Sequence, residues 1–91
     1  MNESKGEAIR TAKGDYVIAI RDANKDQVNI FGCGVYVGDE PCPYLHDRLN
    51  PKIVLDDGNI VWGCECWWCN AEEFEREQLG SRKINIVPIK R

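Results

Sequence analysis

An Asp-Gly step between two β-rich runs is the strongest constraint in this sequence. Pro51-Lys52-Ile53-Val54-Leu55 and Ile60-Val61-Trp62-Gly63-Cys64 flank Asp56-Asp57-Gly58-Asn59. Asp-Gly suits a two-residue type I′ turn, because both central positions need positive φ. With Asp57-Gly58 as that loop, Leu55 faces Ile60 and Ile53 faces Trp62. Alternation then puts Ile53, Leu55, Ile60, Trp62, Cys64, Cys66 and Trp68 on one face of the hairpin. Lys52, Val54, Asp56, Val61, Glu65 and Trp67 fall on the other. The first set is overwhelmingly apolar and predicts the core face; the second is mixed and predicts the outer one.

The segments before the hairpin are also β-rich. Tyr16-Val17-Ile18-Ala19-Ile20 reads as a strand, and Asp22-Ala23-Asn24-Lys25-Asp26 as a turn. A second strand runs from about Val28 to Val37, where Gly32, Gly34 and Gly38 predict a bulge or strong bend. Residues 39–50 read as a long irregular loop, since Pro41, Pro43 and Pro51 disfavour regular structure. After the hairpin, Asn70 is an N-cap with Glu73 three residues on. Glu72, Glu73 and Glu75 suit the positive end of a helix dipole, Gly80 suits the C′ position, and Ala71, Phe74 and Gln78 or Leu79 form the inward stripe. Lys83 to Ile89 reads as an edge strand closed off by Pro88. The order is that of a mostly β fold: a small SH3-like barrel of about five bent antiparallel strands with one short C-terminal helix. An open α+β sheet is the alternative. Residues 1–14 read as a flexible N-terminal arm and 15–91 as a single small domain.

Composition limits the function classes. The chain has 91 residues, 43% hydrophobic and 30% charged, with 15 acids interleaved among 12 bases for a net charge of −3. That balance disfavours non-specific nucleic-acid or membrane-surface binding, which need basic patches. No apolar stretch has the length of a transmembrane span, and the start of the chain has no apolar signal region, so a cytoplasmic protein is expected.

Five cysteines are an odd number, and a reducing compartment disfavours a disulfide framework. Buried apolar thiols are the first reading. Zinc is the second: Cys66-x-x-Cys69 has knuckle spacing, Cys64 is adjacent, and Cys42 or His46 is the available fourth ligand. Against zinc, Cys64 and Cys66 would lie roughly 7 Å apart on a regular strand, and Cys42-Pro-Tyr-Leu-His46 is an imperfect second pair. The expectation is therefore no metal or other cofactor. Thiol-redox use of Cys66 or Cys69 meets a similar objection. A low thiol pKa comes with the first cysteine at a helix N-terminus, and Cys66 precedes the helix start.

No catalytic constellation is visible. His46, the single histidine, stands in the proline-rich stretch, and no phosphate-binding glycine motif exists. The aromatic residues carry more information. Alternation sends Trp62 and Trp68 inward and Trp67 outward beside Glu65. With Tyr44, His46 and Arg48 of the 39–50 segment, these form a candidate surface for a protein or a small anionic ligand. Arg48, Lys52, Arg82 and Lys83 offer local positive charge. Exposed strand edges also favour a homo-oligomer.

Gly34-Val-Tyr-Val-Gly-Asp-Glu40, Asn50-Pro-Lys-Ile-Val-Leu-Asp-Asp-Gly58 and Val61-Trp-Gly-Cys-Glu-Cys-Trp-Trp68 with the Glu-rich helix resemble a family of small uncharacterised bacterial and bacteriophage proteins. The resemblance covers most of residues 14–87. Its pattern has glycine where Cys69 stands, which further disfavours zinc. It implies a setting but no mechanism: a phage-type counter-defence protein in the host cytoplasm, masking a host protein or sequestering a nucleotide-like signal. The expected function is thus that of a non-enzymatic binding protein. A zinc-stapled interaction module and a thiol-redox protein are the alternatives.

Overall fold

A computed structural model describes residues 12–90, with residues 45–47 described by their backbone alone. The arm expected over 1–14 lies, for residues 1–11, outside the described residues. Six strands follow: β1 (Tyr16–Ala23), β2 (Gln27–Cys42), β3 (Leu45–Leu55), β4 (Ile60–Trp62), β5 (Trp67–Asn70) and β6 (Lys83–Ile86). They form one sheet in the order β4-β3-β2-β1-β5, with β6 added to β2. The class is the one expected, mostly β with bent strands and one short helix, and the sheet is the open form. Its outer strands β4 and β5 are joined through a 3₁₀ turn at Gly63–Glu65 and do not pair with each other among the described residues.

Curling brings the strands around a common interior. Val17 and Ala19 of β1, Ile53 and Leu55 of β3 and Val61 of β4 form a buried cluster, with Phe31, Tyr36, Cys66 and Trp68 packed against it. Alternation sends Ile18 and Ile20 to the opposite face, where they meet Val28, Ile30 and Phe74. β1 is therefore apolar on both faces, as a central strand must be. The glycines of β2 permit the bend. At Gly34 a Cβ would lie 2.1 Å from the Val54 carbonyl oxygen and 2.5 Å from Leu55 Cα, so β2 and β3 approach there only without a side chain.

The hairpin exists, but its register differs by one residue from the expected one. The pairs are Lys52–Trp62, Ile53–Val61 and Val54–Ile60. The Leu55 N–H donates to the Asn59 carbonyl, and Gly58 takes φ 91°. This is a loop of three residues closed by a left-handed glycine, not a two-residue turn. The shift turns Val61 from the expected outer face to the core, where it is fully buried. The expected continuation through Cys64 is also corrected. Gly63–Glu65 coils into the 3₁₀ turn, so Cys64 leaves the core face and is exposed.

The 39–50 segment is not a long loop. β2 runs to Cys42 and β3 begins at Leu45, leaving only Pro43 and Tyr44 between them. Pro41 and Pro51 fit because, among the described residues, each has a neighbouring strand on one side alone. β1 stops pairing with β2 at Val35, before Pro41, and β4 stops pairing with β3 at Lys52, after Pro51. Proline is tolerated where a strand has a free edge. The final strand is also unlike the expected antiparallel set, since β6 runs parallel to β2.

Helix α1 (Ala71–Glu73) continues as a π-helix over Phe74–Gln78. Asn70 caps it as expected, its side-chain oxygen accepting the Glu73 N–H at 3.1 Å. Phe74, buried in the second cluster with Ala71 and Leu79 beside it, covers that face of the sheet. Arg82 donates to the carbonyls of Gln78 and Leu79 at the helix end and to that of Asn24 at 3.3 Å. Among the described residues no helix is long and apolar enough to cross a membrane.

Candidate functional site

The expected binding residues are spread over the β2–β3 turn, β3, the 3₁₀ turn and the start of β5. Cys42 and Cys64 touch, sulfur to sulfur, at 4.0 Å. Tyr44 follows Cys42 in the turn and donates its N–H to the Cys42 sulfur at 3.5 Å. Trp67 begins β5 three residues after Cys64, a chain reach of roughly 11 Å. Tyr44, in the β2–β3 turn, and Trp67, paired with Ile20 of β1, are both exposed, Trp67 at 76%. Leu49 of β3 is exposed as well, which sequence reading did not single out. Arg48 is exposed on β3. His46 lies in β3 by its backbone, and its side chain falls outside the described residues. Glu65 is turned inward in part, its carboxylate accepting the Trp62 N–H at 3.0 Å.

Trp67 points as alternation predicts, away from Trp68. Cross-strand pairing sets Trp67 beside Ile20 and Trp68 beside Ala19. Among the described strands β5 pairs with β1 alone, so it is the margin strand of the described sheet.

The proposed zinc ligands do not converge. Cys66 packs with the interior cluster and Cys69 with the helix-side cluster, on opposite faces of the sheet. Among the described side chains of that set, only Cys42 and Cys64 meet. Among the described residues no group of three or more His, Cys, Asp or Glu side chains is placed to hold a metal ion. Two of the basic residues are already engaged. Lys52 pairs with Glu40 at 3.2 Å, and Arg82 is engaged by the helix-end carbonyls.

The thiols share one electrostatic tendency. Burial pushes the Cys66 thiol up to about 12, aided by the negative charge of Glu65. Cys33 is raised by burial and by Asp56, Cys64 by partial desolvation and its contact with Cys42, and Cys69 by burial and Glu73. All four are held in the neutral form, which is the weaker nucleophile.

A cleft that the sequence did not reveal opens where β2 bends. β1 occupies one side of β2, while β3 and β6 share the other side end to end. Between them the Cys33 carbonyl accepts from Asp56 and the Ile30 carbonyl from Val87, leaving a gap beside Phe31 and Gly32. A cavity of about 150 Å³ lies there, floored by Phe31 and Leu55 and edged by Asp56 and Asp57. A second, of about 320 Å³, lies under the helix, lined by Ile18, Phe74 and Ile84 with Glu72 and Glu75 at its rim. Cys33 borders both, and the Tyr16 hydroxyl donates to Asp56 between them. Cys33 stands between two of the glycines that bend β2, the one sequence sign of this place. Compared with known protein families, curated proteins and solved structures, the chain matches none of them.

Proposed function

We propose that the chain is a non-enzymatic binding protein that docks a protein partner on a surface that includes Trp67 and Tyr44. The observation that carries this reading is Trp67, 76% exposed at the margin of an edge strand. A large apolar side chain left in water costs free energy that a partner recovers, and tryptophan is enriched at the energetic centres of interfaces. The side of β5 that no described strand pairs adds backbone donors and acceptors that an extended segment can pair with.

Masking a protein is favoured over sequestering a nucleotide-like ligand. Both cavities are rimmed by carboxylates, Glu72 and Glu75 in one and Asp56 and Asp57 in the other, and like charge repels phosphate. The thiol-redox alternative, which uses Cys66 or Cys69, finds no support in those two thiols, both raised by burial. The zinc module finds none in cysteines that face opposite ways. The counter-defence setting, with a host protein as partner in the host cytoplasm, rests on the sequence resemblance alone. A second copy of the chain is the competing occupant of the Trp67 surface.

The test compares wild type with Trp67→Ala, both shown to melt alike. A partner purified from host extract is titrated into each by calorimetry. Loss of roughly 2 kcal/mol or more of binding is expected, the scale of an interface hot spot. Unchanged affinity in a folded Trp67→Ala protein refutes the surface. Concentration-dependent mass in light scattering, abolished by the same substitution, assigns the surface to self-association instead.

A further inference from the structure

We propose that Cys42 and Cys64 form a reversible disulfide, making the turn between β4 and β5 a thiol-modification site for a low-molecular-weight disulfide such as oxidised glutathione. Their sulfurs touch at 4.0 Å although the residues are 22 apart in sequence, and a bond requires closure to about 2.05 Å. Both sulfurs are presented by well-held backbone. Cys42 ends the β2–β3 ladder, paired with Leu45, and is 6% exposed. Cys64 sits mid-turn, its N–H donating to the Asn50 side chain at 2.7 Å. Next to it, Gly63 lies so close to Pro51 that a Cβ would come within 2.8 Å of the proline ring. Glu65 closes the turn by accepting the Trp62 N–H. The remaining cysteines are elsewhere: Cys66 in the interior cluster, Cys33 and Cys69 on the helix side.

The difference in exposure orders the chemistry. Cys64, the exposed member, releases its proton to water, and its thiolate attacks one sulfur of oxidised glutathione. The glutathione S–S bond breaks, one glutathione thiolate departs and takes up a proton, and a mixed disulfide remains on Cys64. Cys42 then loses its proton and attacks the Cys64 sulfur, expelling the second glutathione. In sum two protein thiols are oxidised and one glutathione disulfide is reduced to two thiols. A small reduced thiol reverses the sequence. Because the thiolate is the attacking form and Cys64 is held neutral by partial desolvation and by Cys42, the rate rises as pH approaches and passes the ordinary cysteine range.

The bond would tie the Pro43–Tyr44 turn to the segment that leads into Trp67, so oxidation would brace the proposed partner surface. That consequence rests on the binding reading; the bond does not, and its test involves no partner. Native protein is incubated with oxidised glutathione, alkylated, weighed intact and mapped by peptide. Two of the five thiols are expected to become unreactive with a mass loss of about 2 Da, the two thiol hydrogens, and a cross-linked peptide joining residues 42 and 64. Dithiothreitol should restore all five. Cys64→Ser, altered at an exposed position, should keep its four thiols alkylatable. A glutathione adduct persisting on Cys64 beside an alkylatable Cys42 overturns the proposal, as does a bond between any other pair.

Discussion

Tyr36 and Trp68 pack ring against ring, their centroids 4.9 Å apart and their planes tilted by 38°. They belong to β2 and β5, which are not neighbours, because β1 runs between them. The small side chain of Ala19, paired with Trp68, leaves the room for this reach. The contact therefore helps draw the margin of the open sheet over the interior cluster, where both rings pack.

Removing Trp68 should accordingly loosen the curl. Trp68→Ala is expected to cost about 3 kcal/mol, at the lower end for a large aromatic because the ring is only half-buried. Urea unfolding checks it, as a lower midpoint at an unchanged slope. Trp67→Ala is the contrast, with a change within about 0.5 kcal/mol for an exposed side chain.

Two glycines should respond differently to alanine. At Gly34 the new methyl would meet the Val54 carbonyl at 2.1 Å, backbone that cannot step aside without opening β2 from β3. Gly34→Ala is expected to lose about 3 kcal/mol or more. At Gly58 no atom lies within 4 Å of the added carbon, and only the φ of 91° resists. Gly58→Ala should cost about 1 kcal/mol, the strain of a left-handed alanine. Melting temperatures of the two variants test the ranking.

The Tyr16 phenol is pushed up to about 12, chiefly by donating to the Asp56 carboxylate. A group raised in the folded state stabilises it fully below the unfolded value, and that stabilisation fades as pH rises through the folded value. The contribution of Tyr16 is thus present up to about pH 10 and is lost as pH passes about 12. Ultraviolet titration of the phenolates should show a component near 12 that Tyr16→Phe removes. Persistence of that component would assign it to another tyrosine.

The sequence conveyed kinds of structure better than their alignment. The Asp57-Gly58 turn, the inward Trp68 and outward Trp67, and the Asn70 cap each follow from a local rule and are present. The register of the hairpin is not local in that sense. Asp56-Asp57-Gly58 satisfies a two-residue and a three-residue loop equally, and one residue of difference exchanges Val61 between faces. Pro41 and Pro51 suggested a loop because a proline reveals a missing donor, not whether a neighbouring strand requires that donor. The cleft beside Cys33 and the meeting of Cys42 with Cys64 depend on which strands share an edge of β2. No pattern along the chain encodes that.

The parallel placement of β6 has a consequence for the order of assembly. Its pairing with β2 links Gln27 to Lys83, while all four residues of the strand remain exposed. A distant closure with little buried surface is entropically late and energetically shallow. The curled five-strand sheet is therefore expected to form first, with β6 joining it afterwards. The amides of β6 should exchange with solvent through a local opening that leaves the rest of the molecule folded.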